Sequence, residues 1–373
     1  MNDPTAVDLF CGCGGMSLGA ARAGFRVLAG VDKDSRAIAS HGSNFPEATH
    51  INSDLCRINA AEILPGKKGK AKPIDLLMGG PPCQGFSTIG RRDLFDPRNL
   101  LISQFSRLVN EFLPRVFVLE NVPGILSDAY SATLSAALNR ISKSYQIMEP
   151  KSLAAIDAGA PTLRKRIFII GFRKPLHVAS DFWAQTVNQS AVPVVKYALN
   201  GLPLDIESNW KTSRGGKRTV RIDRVGEFFT AASGKIPRGV GDLKTLEDYH
   251  TKAIVTGCVG TLHSKALEKR YAALEYGESD PKTKSVKLDP DGYCPTLRAG
   301  TGPDRGSFQA VRPIHYLRPR VITPREAARL QGFPDWYRFD ETKWHSFRQI
   351  GNSISPLVAE FVLQRVRKVL EHA

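Results

Sequence analysis

The sequence predicts an α/β protein: a mostly parallel sheet covered on both faces by helices, joined to a second, smaller, loop-rich domain. Three observations predict it. Short apolar segments alternate with helix-like patterns through residues 1–173. Those segments are near-continuously apolar, the mark of strands buried on both faces. Beyond residue 173 glycine, proline and charge become frequent, and the hydrophobic periodicity fades.

The elements follow in order. Residues 6–10 read as a first strand, Gly12-Cys13-Gly14-Gly15 as a glycine turn, and 16–23 as a helix stopped by Gly24. Residues 25–32 read as a second strand ending on an acid, and 74–78 as a third. Leu101, Phe105, Leu108 and Phe112 lie at spacings of four, three and four, one apolar face of a helix that Pro114 ends. Residues 116–120 form another apolar strand with Glu120 at its tip, and 166–172 a further one. The segment 65–70 reads as an exposed loop. Near the carboxyl terminus Thr323-Pro324-Arg325-Glu326 is a capping box with proline at the first helical position. That helix is expected over 324–331, stopped by Gly332, and a last helix over 356–370. The expected domains are 1–173, completed by 341–373, and 174–340.

Composition narrows the function classes. A chain of 373 residues can bury a large core in two domains. No run approaches the ~18 apolar residues of a membrane span, and no charged-then-apolar leader opens the chain. The expectation is a cytoplasmic protein without a membrane partner. Six cysteines with no Cys-x-x-Cys pair, and eight histidines with no ligand spacing, predict neither a disulfide framework nor a metal site. The net charge of +16 points to a polyanion, nucleic acid first. It is not confined to one half. Residues 174–320 hold 23 Lys and Arg against 15 Asp and Glu, so half of the surplus lies elsewhere. Lys211, Arg214, Lys217, Arg218, Arg221 and Arg224 surround Gly215-Gly216, a basic segment suited to phosphate contacts.

Two motifs carry chemistry. The first is Asp8-Leu9-Phe10-x-Gly12-x-Gly14-Gly15, between a strand and a helix, with Asp32 twenty residues beyond Gly12. Glycines there admit a ligand against the backbone near a helix N-terminus, and the acid sits where ribose hydroxyls are bound. The absence of a full Gly-x-Gly-x-x-Gly argues against NAD and FAD. The second is the run 79–87, Gly-Gly-Pro-Pro-Cys-Gln-Gly-Phe-Ser, following a strand. Prolines fix the backbone before Cys83, and glycines let a substrate approach it.

These and other motifs, in order, resemble the cytosine-5 DNA methyltransferase family along nearly the whole chain. Residues 8–15, 30–34, and Asn44-Phe45-Pro46 with Ser53-Asp54-Leu55 resemble its cofactor motifs, and 79–87 its nucleophile motif. Residues 117–124, containing Glu120-Asn121-Val122, resemble the motif of its catalytic glutamate, and Arg164-Lys165-Arg166 its Gln-x-Arg-x-Arg motif. Residues 320–335 resemble the motif beside its recognition domain, and 349–353 its final motif. Thr162 stands where the family usually has Gln, and Asp32 where relatives often have Glu.

The resemblance implies a Rossmann-like, S-adenosylmethionine-dependent methyltransferase with a DNA-recognition domain, of the compact bacterial restriction-modification type. Cys83, as thiolate, would add to carbon 6 of a flipped-out cytosine and make carbon 5 nucleophilic. Glu120, protonated at that moment, would serve ring N3, and Arg164 would hold O2, with Arg166 beside it. Phe10, Gly12, Gly14, Gly15, Asp32, Asp54, Leu55, Pro82, Asn352 and Ser353 would bind S-adenosylmethionine and release S-adenosylhomocysteine. Within that set Asp32 is assigned to the ribose, Asp54 to the adenine amino group and Phe10 to the adenine ring. Gln84, Ser87, Arg91, Arg92, Lys217, Arg218, Thr296 and Leu297 would contact double-stranded DNA, with 84–98 a lid over the base. The protein would work as a monomer near the bacterial nucleoid, with a restriction endonuclease as its functional counterpart. A tRNA cytosine-5 methyltransferase on the same scaffold is the main alternative. A catalytically dead DNA-binding module is the other.

Overall fold

A computed structural model of the chain describes residues 3–82, 100–176, 178, 182–183, 193–206, 216–220, 227–234, 236–300 and 311–372. Cys83, Gln84, Ser87, Arg91 and Arg92, the expected lid, and Lys211, Arg214, Arg221 and Arg224 lie outside the described residues. The chain divides into two compact units. One comprises Met1–Leu153, Lys165–Val187 and Ala359–Ala373, the other Ala154–Arg164 and Asn188–Val358.

The first unit is built on an eight-stranded sheet. Its strands are β1 (Thr5–Leu9), β2 (Arg26–Asp32), β3 (Thr49–Asn52), β4 (Leu76–Gly79), β5 (Val116–Asn121), β6 (Tyr145–Ile147), β7 (Lys151–Ala154) and β8 (Lys165–Arg173). The order is β3-β2-β1-β4-β5-β8-β6, with β7 also on β8. Strands β1 to β5 are parallel, whereas β8 runs antiparallel to β5 and β6. The expected parallel core is therefore present, closed by an antiparallel edge. Three strands were not expected. Thr49–Asn52, Tyr145–Ile147 and Lys151–Ala154 are short and partly exposed, so they lack the apolar runs of the central strands.

Helices supply the covering faces. The predicted stripe Leu101, Phe105, Leu108 and Phe112 lies on helix Leu100–Phe112, and all four are buried. Phe105, Leu108 and Phe112 join Val7, Leu9, Leu77, Phe117 and Leu119 of the strands in one core. Leu113 then takes φ 48°, and Pro114 stops the helix. The last helix is Pro356–Glu371, one residue longer than predicted.

The described residues of the second unit hold little regular structure, as its texture predicts. Its longer described helices are Leu243–Lys252, Lys265–Ala273 and Lys343–Asn352. The predicted capping box is present: Thr323 and Glu326 cap helix Pro324–Leu330 reciprocally. The units cut the chain differently from the expected 1–173 and 341–373 boundaries. The excursion 154–164 belongs to the second unit because its chain is bonded there, with Leu163 N–H donating to Cys294 O at 2.9 Å.

Candidate active site

The first unit's strand order reverses at β1, whose neighbours are β2 and β4. The carboxyl ends of strands at such a switch point form the crevice where α/β sheets bind ligands. The glycine turn sits there. Phe10, Gly12 and Gly14 have φ of 60°, 55° and 96°, and Gly14 caps helix Gly15–Arg22. Asp32, at the end of β2, fastens this turn: its carboxylate accepts from Gly12 N–H and from Asp34 N–H, both at 2.9 Å. Burial pushes its pKa up, while the two amides oppose the shift. A carboxylate has lone pairs beyond those two bonds.

Asp54 accepts from Cys56 N–H at 2.9 Å, and this amide holds its carboxyl below the usual range. Leu55 is buried in the core, and Phe10 packs against the same cluster. A Cβ placed on Gly12 would meet nothing within 4 Å, so the turn has open space above its backbone. Amides at a helix N-terminus, a carboxylate at the end of the next strand and an apolar ring at one place suit a ligand with a polar, anionic end and a flat apolar body.

Beneath the turn lies a group that sequence reasoning missed. The Ser17 hydroxyl donates to the Asp8 carboxyl at 2.6 Å and stands 3.0 Å from His41 Nε2. All three are fully buried. Burial raises the Asp8 pKa to about 7 and lowers that of His41 to about 3. The available signal was an acid inside an otherwise apolar strand.

The other half of this edge carries the second cluster. Glu120, near the end of β5, pairs with Arg166 of β8, Oε1 to Nε at 2.7 Å. Both side chains are largely buried. A Cβ on Gly80 would lie 2.5 Å from Glu120 Oε2, so only glycine lets the carboxyl occupy that place. Asn121 ties the end of β5 to the segment after β4, donating to Pro81 O at 3.4 Å, and Val122 N–H donates to its Oδ1 at 2.8 Å. Pro82, partly buried, is the last described residue before Cys83.

The remaining predicted residues belong to the second unit. Arg164, expected at the cytosine O2, is buried and donates to Leu297 O at 3.0 Å and Asn352 O at 3.3 Å. Its guanidinium is engaged with main-chain carbonyls. Thr296 is exposed and donates to Leu163 O at 3.3 Å, whereas the Leu297 side chain is buried. Asn352 ends helix Lys343–Asn352, and Ser353 N–H caps it by donating to Gln349 O and Ile350 O. Lys217 is held by Asp248 at 3.0 Å, which also binds Lys252, and Arg218 donates to Lys217 O at 2.9 Å. Thr162, at the family's Gln position, is fully buried. Among the described residues no group of three or more His, Cys, Asp or Glu is placed to hold a metal ion. No helix among them is long and apolar enough to cross a membrane.

Known proteins match along nearly the whole chain. The family model for C-5 cytosine-specific DNA methylase matches residues 5–368. Type II methyltransferase M.XorII of Xanthomonas oryzae pv. oryzae is 37% identical over 377 residues, covering 99% of this chain and 86% of that protein. A crystal structure assigned as a DNA modification methyltransferase encoded within a prophage (E. coli) superposes with TM-score 0.88 at 47% identity, covering 99% of both chains. S. pombe Dnmt2 methyltransferase shares the fold, with TM-score 0.61 at 17% identity and 99% of both chains covered.

Proposed function

The chain belongs to the C-5 cytosine-specific DNA methylase family, and from that premise we propose that it methylates a cytosine flipped out of duplex DNA through a covalent bond to Cys83. The observation that carries this reading is the Glu120–Arg166 pair seated over Gly80. Ring N3 and O2 of cytosine are adjacent acceptors. A protonated carboxyl beside a guanidinium offers them adjacent donors. The O2 contact therefore passes from Arg164 to Arg166, because Arg164 is engaged with two carbonyls.

The chemistry assigns each group a task. The Cys83 thiolate forms a bond to carbon 6, and the ring's π electrons shift toward N3 and O2. Glu120 and Arg166 meet the charge that develops there. Carbon 5 then takes the methyl group and gives up its proton to base, and elimination restores the ring and frees Cys83. S-Adenosylmethionine, when bound, supplies the methyl group. Phe10, Gly12, Gly14, Gly15, Asp32, Asp54 and Leu55 would hold it, with Asp32 serving both the turn and the ribose. Pro82 would fix the backbone before the nucleophile. For Asn352 and Ser353 the cofactor role rests on the family motif, and the affinity of Asn352→Ala for S-adenosylmethionine tests it.

The second unit is the proposed DNA-recognition part, with Lys217 and Arg218 on phosphates and Thr296 beside the base. The Xanthomonas relative is named a Type II methyltransferase, which supports a role as the modification enzyme paired with a restriction endonuclease. Tritium release from carbon 5 of cytosine in duplex DNA tests the activity. Cys83→Ser should bring turnover to background and abolish the adduct with 5-fluorocytosine DNA, while DNA binding persists. Retained turnover would remove Cys83 from the mechanism.

A further inference from the structure

The edge of the first unit's sheet opposite the glycine turn is strongly basic, and we infer that it binds a second segment of duplex DNA. The sheet topology assembles it from residues scattered along the chain. Strands β1, β2, β4 and β5 begin on this edge, and antiparallel β8 ends there, with Phe172 opposite Val116. The first residue of β6, Tyr145, pairs with Arg173. Arg26, Lys143 and Lys174 are thereby brought to one rim, all exposed.

The centre of this rim is a lysine knob on the loop that enters β4. Gly66 N–H donates to Lys70 O and Lys72 N–H to Leu64 O, which closes the segment into a tight turn. Lys67, Lys68, Lys70 and Lys72 are exposed on it, and none makes a side-chain hydrogen bond or ion pair among the described residues. The acids nearby are engaged. Asp75 accepts from Thr5 and faces Arg115 at 3.7 Å, Glu111 binds Arg107, and Glu371 binds Arg367. Glu62, which accepts from Asn59 N–H, and Asp3 and Glu47 are further exposed carboxylates near it. The knob thus accounts for part of the positive surplus that lies outside residues 174–320.

Dimensions and chemistry select the partner. From β2 to β6 the rim spans five strand spacings, about 24 Å, the length of about seven base pairs. No exposed aromatic ring occurs in this unit among the described residues, so the stacking platforms of single-strand binders are missing. The tip of the knob, residues 66–70, carries no apolar side chain, unlike a membrane-surface helix. Arg166 and Arg173 lie seven residues apart on β8, about 23 Å. Duplex DNA, with a persistence length near 50 nm, reaches both edges of so short a body only at the cost of a sharp bend. The rim therefore takes a different stretch of duplex from the one being methylated. From the proposed function this takes only the nature of the polyanion.

The test is K67E/K68E/K70E, a change confined to exposed side chains. Wild-type protein on a bead-held duplex carrying one mapped methylation site should capture a second, labelled duplex lacking the site. The variant should capture it at least tenfold more weakly, with the salt slope of capture reduced by about 3. Its affinity and turnover on the short target duplex alone should equal the wild type's. Unchanged capture would overturn the inference. A parallel loss of short-duplex binding would also overturn it, by placing the knob on the catalytic duplex. K67Q/K68Q/K70Q gives the same reading if charge reversal disturbs folding. Failure of the methylation mechanism would show instead as absent turnover in both proteins with capture intact.

Discussion

The sheet unit and the loop-rich unit both bury polar side chains, but they bury them for different reasons. In the sheet unit, strand ladders satisfy the main chain, and one buried polar cluster sits beneath the candidate site. Asp8, Ser17 and His41 bond only to one another, without a cation. In the second unit irregular chain leaves carbonyls without ladder partners, and such groups must be satisfied. Arginine supplies them. Arg325 donates to the carbonyls of Thr256, Pro334 and Tyr337. Arg329 donates to those of Ala198 and Asn200 and is neutralised by Asp335 at 2.6 Å. Arg164 does the same for Leu297 and Asn352. Arg166, two residues on, lies in the sheet and faces a carboxylate instead. A guanidinium with five donors replaces, in an irregular region, what a ladder does in a sheet.

That contrast breaks most visibly at Arg329. Arg329→Met leaves Asp335 unpaired in full burial and should cost about 3–5 kcal/mol. Urea unfolding measures it, and Arg329→Met/Asp335→Leu should recover most of the loss. A single variant within 1 kcal/mol of wild type would mean that the pair does not hold the unit together.

The two neighbouring arginines sharpen it next. Arg166→Lys should lower kcat about a hundredfold, near 2.7 kcal/mol, with little change in melting temperature. Arg164→Lys should do the reverse, losing about 1–2 kcal/mol of stability through its carbonyl bonds while keeping most of kcat. An exchange of these outcomes would return the O2 contact to Arg164.

The last effect belongs to the buried Asp8–His41 pair and is a slope with pH rather than a fixed loss. Asp8, raised to about 7, contributes stability that is complete below about pH 4 and lost as pH rises toward 7. His41, lowered to about 3, contributes stability present above about pH 6.5 and lost as pH falls toward 3. Between about pH 4 and 6.5 the two slopes oppose and cancel. Asp8→Asn should uncover the histidine, so that, relative to wild type, stability falls on acidification by about 1.4 kcal/mol per pH unit. His41→Phe should uncover the aspartate, with the opposite slope of similar size. Unfolding free energies at pH 4.5 and 6.5 decide it, and parallel curves for all three proteins would show that the pair does not titrate this way.

Much of the sheet unit was legible because its signals are local. The glycine turn with Asp32 twenty residues on, the apolar strands, the stripe on Leu100–Phe112 and Glu120 at a strand tip each occupy one short window of chain. What escaped depends on chain pairing. Thr49–Asn52 is polar and becomes a strand only beside β2. Arg164 and Arg166 are chemically identical in sequence, and only tertiary placement gives one a pair of carbonyls and the other a carboxylate. The basic rim is likewise invisible locally, because Arg26, Lys70, Lys143 and Lys174 become neighbours through strand order. The buried Asp8–Ser17–His41 group joins a strand to two helices and has no spacing of its own.

The passage of 154–164 into the second unit has a consequence for protein engineering. The chain changes unit after residues 153, 164, 187 and 358, so neither body is one continuous stretch. Transplanting residues 188–358 alone from a relative would leave Leu163 N–H and Cys294 O, now bonded to each other, on sequences of different parentage. A transplant that carries the eleven residues 154–164 along with the large segment keeps that seam intact. The second unit is a two-piece cassette, and the shorter piece ends on Arg164.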